Sequence, residues 1–103
     1  MTGEGSYTAT SNVVYANPIG IRGDSSPLWN NNLVYGNTEK GIWLYAGSAP
    51  QILNNTVVQP AGDALTIEST HNNLQFQNFQ VRNNVLWAKS GYAIVAGSDT
   101  VCG

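Results

Sequence analysis

Pairs of asparagine recur inside runs of residues that otherwise have the composition of β-strands. They occur in LWNNNLVY (28–35), QILNNTVV (51–58) and QVRNNVLW (80–87). Asparagine is depleted in strands and favoured in turns, so its repeated placement between apolar residues predicts a sharp corner between two short strands. The last asparagine of each group serves as an anchor, and NVVY at 12–15 joins the series. The anchors are Asn12, Asn32, Asn55 and Asn84.

The residues around each anchor keep the same order in all four copies. Three residues before the anchor stand Ala9, Trp29, Ile52 and Val81, and two residues after it stand Val14, Val34, Val57 and Leu86. A further apolar run follows nine residues after the first anchor and ten after the others, at Ile21, Ile42, Leu65 and Ile94. This register predicts a repeat of about 22 residues that contains three short strand segments.

The fold class follows from what this repeat lacks. Clusters of Gly, Pro, Asp and Ser between the copies are typical of turns, and no stretch has the sustained helical period of an amphipathic helix. A leucine-rich solenoid lacks its leucine scaffold here, and a propeller blade needs about 40 residues. The sequence therefore predicts an all-β parallel β-helix of four coils, forming one domain over residues 1–103.

The pattern I-x-N-N-x-V followed by G-x-x-I/L-x-I, over residues 9–96, resembles the coil repeat of right-handed parallel β-helix proteins of the pectate-lyase-like superfamily. The resemblance implies that the anchors point inward and stack about 4.8 Å apart as an amide ladder. It also implies that the preceding Asn31, Asn54 and Asn83 adopt the bent backbone of the corner. Because lyases, hydrolases and inert solenoids share this fold, the resemblance does not decide the activity.

Composition limits the partners of the chain. Charged residues make up 10% of the sequence and the net charge is −2, so no basic patch for nucleic acid is expected. No apolar run approaches the roughly 18–20 residues of a membrane span, and the first residues show no secretion signal. Cys102 is the only cysteine, which excludes an internal disulfide. The resemblance implies an extracellular or cell-surface location.

The resemblance also implies a polysaccharide groove on the sheet that contains the second apolar run. Strand alternation predicts two outward rows on this sheet. One row is Gly20, Trp43, Thr66 and Val95, and the other is Arg22, Tyr45, Glu68 and Gly97. The candidate substrate-binding residues are Arg22, Trp43, Tyr45 and Glu68. The alternative, that an inserted loop at residues 69–80 covers Trp43 and Tyr45, stays open.

A second outward row, just after the anchors, is predominantly aromatic. It contains Tyr15, Tyr35, Val58 and Trp87. Aromatic residues aligned on a sheet surface pack against each other across strands, and a larger exposed patch marks an interface. We therefore predict that Tyr15, Tyr35 and Trp87 form an oligomer interface or pack on each other, in preference to forming a ligand platform.

The sequence assigns no catalytic residue. The acidic residues are scattered, and Asp24 and Asp63 lie in glycine-flanked turns where aspartate is expected for backbone reasons. His71, the only histidine, is expected to be a solvated loop residue. Arg22 and Glu68 form the one plausible acid–base pair, but two coils separate them by roughly 10 Å. No metal-ligand spacing occurs, and no cofactor is expected.

Neither end of the sequence offers a capping helix, which solenoids use to close their terminal coils. We expect either a slice of a longer β-helix or a homo-oligomer that buries the open end or the Tyr15/Tyr35/Trp87 face. Two functions remain. The favoured one is a non-catalytic module that self-assembles or binds carbohydrate, and the other is a polysaccharide lyase or glycoside hydrolase, or a remnant of one.

Overall fold

A computed structural model describes residues 2–3, 8–23, 28–44, 51–67 and 80–96. Within these ranges the chain forms thirteen short strands and no helix. The strands are β1 (Thr2–Gly3), β2 (Thr8–Thr10), β3 (Val13–Tyr15), β4 (Ile19–Gly23), β5 (Leu28–Asn30), β6 (Leu33–Tyr35), β7 (Lys40–Leu44), β8 (Gln51–Leu53), β9 (Thr56–Gln59), β10 (Asp63–Ile67), β11 (Gln80–Arg82), β12 (Val85–Ala88) and β13 (Ile94–Ala96).

Strands one coil apart pair in parallel and build three sheets. Sheet A has the order β1-β4-β7-β10-β13, sheet B has β11-β8-β5-β2, and sheet C has β12-β9-β6-β3. Each of the four coils contributes one strand to each sheet, and β1 adds a fifth strand to sheet A beside β4. This arrangement confirms the predicted parallel β-helix with three strand segments per coil.

The core is a stack of apolar side chains to which all three sheets contribute, and sheet A contributes more than one in the second and third coils. Trp29 of sheet B is fully buried and lies in register between Ala9 and Ile52. The small Ala9 leaves room for the indole of the next coil, as close packing of an interior requires. The other core residues that are at most 1% exposed are Ile52 on sheet B, Val34 and Val57 on sheet C, and Ile21, Ile42, Leu44, Ala64, Leu65 and Ile67 on sheet A.

The anchors form the predicted amide ladder at the corner between sheets B and C. Asn12 Nδ2 donates to Asn32 Oδ1 at 3.1 Å, Asn32 Nδ2 to Asn55 Oδ1 at 2.9 Å, and Asn55 Nδ2 to Asn84 Oδ1 at 3.1 Å. These anchors are 20, 23 and 29 residues apart. The ladder therefore holds its register although the coils differ in length.

Each rung also satisfies backbone groups that no sheet reaches. The backbone N–H of Asn32 donates to Asn55 Oδ1 at 2.9 Å, and Asn32 Nδ2 donates to the carbonyl oxygen of Ala9 at 2.9 Å. Buried peptide groups without partners are costly. The anchor asparagines are thus structural residues, because the oxygen and the nitrogen of the buried side-chain amides both form hydrogen bonds within the chain.

The residue before each anchor has the left-handed backbone conformation that turns the corner. Asn31, Asn54 and Asn83 have φ values of 57°, 55° and 55°, and Ser11 has 58° in the first coil. Asparagine tolerates this region better than most residues that carry a Cβ. The two residues of each asparagine pair therefore have different roles. The first bends the backbone at the corner, and the second forms the side-chain ladder.

Small residues occupy the inward position where each coil enters sheet A. A Cβ on Gly41 would lie 2.5 Å from Val57 Cγ1 and 2.6 Å from the Ala64 carbonyl oxygen. A Cβ on Gly20 would lie 2.5 Å from Val34 Cγ1. Gly20 therefore faces the core, which shows that its predicted place in the outward row of Trp43 was wrong.

The two ends of the coil stack differ in exposure. In the first coil the inward residues Ala9, Val14 and Ile21 are buried. In the fourth coil Val81 and Leu86 are only partly buried, and Ile94 is 51% exposed. Over the described residues, the core is therefore closed at the first coil and accessible to solvent at the fourth.

Candidate functional site

The outward row of sheet A brings together Arg22, Trp43, Thr66 and Val95. Arg22 pairs in register with Trp43, Trp43 with Thr66, and Thr66 with Val95. We predicted Arg22 in the row of Tyr45 and Glu68. It instead lies beside Trp43, because Ile21 and Ile42 are in register and the outward position follows each of them.

The Trp43 ring is the centre of this candidate ligand site. Lys40 Nζ lies 5.9 Å from the ring centroid, within the range of a cation–π contact. Trp43 is half-buried and Arg22 is exposed. An indole that has a lysine ammonium group over its ring and an arginine in register on the neighbouring strand suits a ligand that carries an anionic group beside an apolar face.

The surface around this site is not open along its whole length. Thr66, the next residue in the outward row, is 3% exposed. Tyr45 and Glu68, the other two predicted substrate-binding residues, lie outside the described residues, as do His71 and Asp24. The structure therefore brings together two of the four predicted residues, Arg22 and Trp43, and adds Lys40, which the sequence did not indicate.

The outer face of sheet C is a second candidate site, which we name the apolar face. Strand pairing aligns Val13, Leu33, Thr56 and Val85 in one row and Tyr15, Tyr35, Val58 and Trp87 in the other. All of these except Thr56 are large hydrophobic side chains that are at least 38% exposed. None of the eight is charged. The predicted aromatic row is thus half of a broader uncharged surface.

Two of the three aromatic rings on the apolar face, those of Tyr15 and Tyr35, contact each other. The ring centroids of Tyr15 and Tyr35 are 5.1 Å apart and their planes differ by 12°, so the rings are stacked. Each ring uses one of its faces for this contact. Those two faces are closed to any ligand, while the opposite face and the edge of each ring take no part in this contact.

The repeated coil, its three parallel sheets and its inward asparagine ladder define the family of the chain. A sequence profile described as "Right handed beta helix region" matches residues 1–102. The chain belongs to the right-handed β-helix family. Neither the comparison with curated proteins nor the comparison with solved structures gave a match.

This β-helix contains a second polar stack that the sequence did not indicate. The backbone N–H of Asn17 donates to Asn37 Oδ1 at 3.0 Å, and Gln59 Nε2 donates to the Asn37 carbonyl oxygen at 2.7 Å. Asn37 and Gln59 are fully buried. The only signal was the asparagine five residues after the first two anchors, and it fails in the third coil, where Gln59 stands four residues after Asn55.

Asp63, which lies outside both candidate sites, has a structural contact. Asp63 Oδ1 accepts the backbone N–H of Tyr92 at 2.9 Å, which ties the third coil to the fourth. Within the described ranges, no three His, Cys, Asp or Glu side chains group as metal ligands would. In the same part of the chain, no helix has the length and hydropathy needed to cross a membrane.

Proposed function

We propose that this β-helix is a non-catalytic module that self-assembles through the apolar face. The observation that supports the proposal is the exposure of seven large hydrophobic side chains in two aligned rows with no charged residue among them. Isolated exposed hydrophobic residues are normal, whereas a contiguous patch marks an interaction surface. The occupant we propose is a second copy of the chain.

The size of the apolar face is consistent with a dimer. If a fully exposed large side chain contributes roughly 150–250 Å², the exposed fractions of the seven hydrophobic residues correspond to roughly 500–850 Å² in total. A standard interface buries about 800 Å² on each partner. Rim residues such as Thr56 and the corner asparagines Asn31 and Asn54 would supply the difference, and they add the polar border typical of interfaces.

The chemistry of the face favours a partner with the same surface. A two-fold dimer places identical patches against each other, and such contact costs no charge repulsion here because the eight residues of the apolar face are uncharged. Since the association would be driven by apolar burial, its strength should change little between low and moderate salt.

Analytical ultracentrifugation over a range of concentrations tests the proposal with two matched variants. Tyr35→Lys places a charge in the middle of the apolar face, and Tyr92→Lys places the same charge at an exposed tyrosine before β13. We expect a concentration-dependent dimer that Tyr35→Lys weakens at least tenfold and Tyr92→Lys leaves unchanged. A wild-type monomer at millimolar concentration, or equal effects of both variants, would reject it.

Carbohydrate binding at Arg22, Lys40 and Trp43 is the second candidate function. The observation that favours it is the cation–π contact of Lys40 with the Trp43 ring. Arg22 lies in register with Trp43 on the neighbouring strand. Titration with acidic and neutral oligosaccharides, followed by Trp fluorescence, tests it. We expect reversible binding of acidic sugars that Arg22→Ala and Lys40→Ala each weaken, with no change from Tyr92→Lys. Product formation in the same mixtures would instead favour the lyase or hydrolase alternative.

A further inference from the structure

The end of the fourth coil presents an ordered set of hydrogen-bond donors beside its exposed core. We propose that this end is a docking site for a further parallel strand–corner–strand segment with an asparagine at its corner. The expected ligand has the sequence pattern of the coil repeat itself. That pattern is an apolar residue, one further residue, an Asn-Asn pair and then a β-strand. The proposal is independent of self-association through the apolar face.

The three junctions between coils show what such a segment must provide. At the junction of the third and fourth coils, the Asn54 N–H donates to the Arg82 carbonyl oxygen at 3.0 Å. The Asn55 N–H and Nδ2 both donate to Asn84 Oδ1, at 2.8 and 3.1 Å. Three donors of one coil therefore meet one backbone carbonyl and one side-chain amide oxygen of the next.

The same pattern holds at the junction of the second and third coils. The Asn31 N–H donates to the Leu53 carbonyl oxygen at 3.2 Å, and the Asn32 N–H and Nδ2 both donate to Asn55 Oδ1. The side-chain ladder is therefore directional, because each anchor Oδ1 accepts from the preceding coil. The carbonyl oxygen of each anchor has the opposite role, since Asn32 and Asn55 accept the N–H of Thr56 and Val85 from the following coil.

In the fourth coil the equivalent donors are the Asn83 N–H, the Asn84 N–H and the second hydrogen of Asn84 Nδ2. Asn84 Nδ2 donates to the Ile52 carbonyl oxygen at 2.8 Å, which engages one of its two hydrogens. Among the described residues, no acceptor contacts the other three hydrogens. They converge on one corner, next to the partly exposed Leu86 and Val81.

The direction of the donors decides between possible occupants. A second copy joined fourth coil to fourth coil would set the Nδ2 donors of the two Asn84 side chains against each other, with no following-coil Oδ1 to accept them. A second copy joined fourth coil to first coil would have to displace what already buries Ala9 and Ile21. A segment that brings a backbone carbonyl and an asparagine Oδ1 in parallel register meets all three donors and covers Ile94 as well. Addition of a strand to an open sheet edge is a known mode of peptide recognition.

A labelled peptide with the sequence of residues 51–59, QILNNTVVQ, is the direct probe, because this segment already performs the proposed role on the second coil. The matched control carries leucine in place of its second asparagine, QILNLTVVQ, which keeps the size and removes the acceptor. In fluorescence anisotropy with the full chain, we expect saturable binding of the first peptide and at least tenfold weaker binding of the second.

Variants of the protein check the site from the other side. Asn84→Asp keeps an oxygen for the donors of Asn55 but replaces the outward amide with a charged acceptor, so binding should be lost. Ile94→Lys changes a side chain that is 51% exposed, so the fold should survive while the apolar surface for the peptide is lost. Circular dichroism confirms that each variant is folded.

Two results would overturn the proposal. One is the absence of saturable binding of QILNNTVVQ to the folded wild-type chain. The other is equal binding of the asparagine and leucine peptides, which would show that the donors at the Asn84 corner do not contribute to binding. The same titration with Tyr35→Lys separates this docking from self-association, because that variant changes the apolar face and leaves the fourth-coil end intact.

Discussion

Asn84 Oδ1 accepts two hydrogen bonds from a single residue of the preceding coil, the N–H of Asn55 at 2.8 Å and Asn55 Nδ2 at 3.1 Å. Asn55 in turn presents its own Oδ1 to both donors of Asn32. One side-chain oxygen per coil thus accepts the donors of the preceding coil at a corner where no sheet supplies hydrogen bonds. The free energy of unfolding should therefore depend strongly on the anchor side chains.

Replacing Asn55 with leucine should destabilise the fold by about 3 kcal/mol or more, because each buried polar group left unpaired costs about 1–3 kcal/mol. The change leaves both Asn32 donors and the Trp29 carbonyl oxygen without the Asn55 amide. Urea unfolding measures the loss. Asn17→Leu is the matched control, since its amide is exposed and makes one bond to the Tyr15 carbonyl oxygen. Equal losses for both variants would contradict a structural role for the ladder.

The corner position before the anchor should tolerate glycine and reject β-branched residues. Asn31 is exposed with φ at 57°, a region that costs about 1–2 kcal/mol for residues with a Cβ. We expect Asn31→Val to lower the free energy of unfolding by that amount and Asn31→Gly to change it by less than about 0.5 kcal/mol. Thermal and urea unfolding of the pair measures the difference. A glycine variant as unstable as the valine variant would contradict the conformational explanation.

Two glycines should respond to alanine for different reasons. Gly41→Ala forces a methyl group against Val57 and the Ala64 carbonyl oxygen, and overpacking of this kind costs about 1–3 kcal/mol or more. Gly36 has φ at 63°, and a methyl group on its Cα would meet nothing within 4 Å, so Gly36→Ala should cost only the backbone strain of about 1–2 kcal/mol. Crystal structures of both variants would show displaced neighbours at residue 41 and none at residue 36.

Asp63 should control local opening of the fourth coil. Its Oδ1 accepts the Tyr92 N–H from the turn before β13, and amides held by one such contact exchange through local opening. We expect faster hydrogen exchange at Tyr92 in Asp63→Ala and near-native exchange in Asp63→Asn, which retains the acceptor oxygen. Unchanged exchange in the alanine variant would show that other contacts hold this turn.

The sequence predicted the features that depend on spacing within one coil. The corner asparagines, the inward residues beside them and the parallel strands were all predictable, because one residue of each type stands at a fixed distance from every anchor. The large Trp29 follows the same spacing, since its position matches Ala9 and Ile52, and the structure buries it fully.

Features that depend on contact between coils were harder to predict. Gly20 was predicted to face outward although it precedes the inward Ile21, whereas Trp43 follows the inward Ile42. The requirement for a residue without a Cβ is visible only when Val34 is placed against Gly20. The Asn37–Gln59 contact was missed because a longer side chain compensates for a changed offset. Only one of the two rows of the apolar face was predicted. The row that contains Val13 and Leu33 has no aromatic residue to draw attention to it.

The unequal anchor spacings of 20, 23 and 29 residues have a consequence for how such a chain can change over time. The ladder contacts are the same at all three spacings, so residues added between corners leave the corners of neighbouring coils in register. Insertions can therefore accumulate in one coil without compensating changes in the other coils. Diversity in this architecture is expected to reside in the lengths between corners, while the corner itself stays constant.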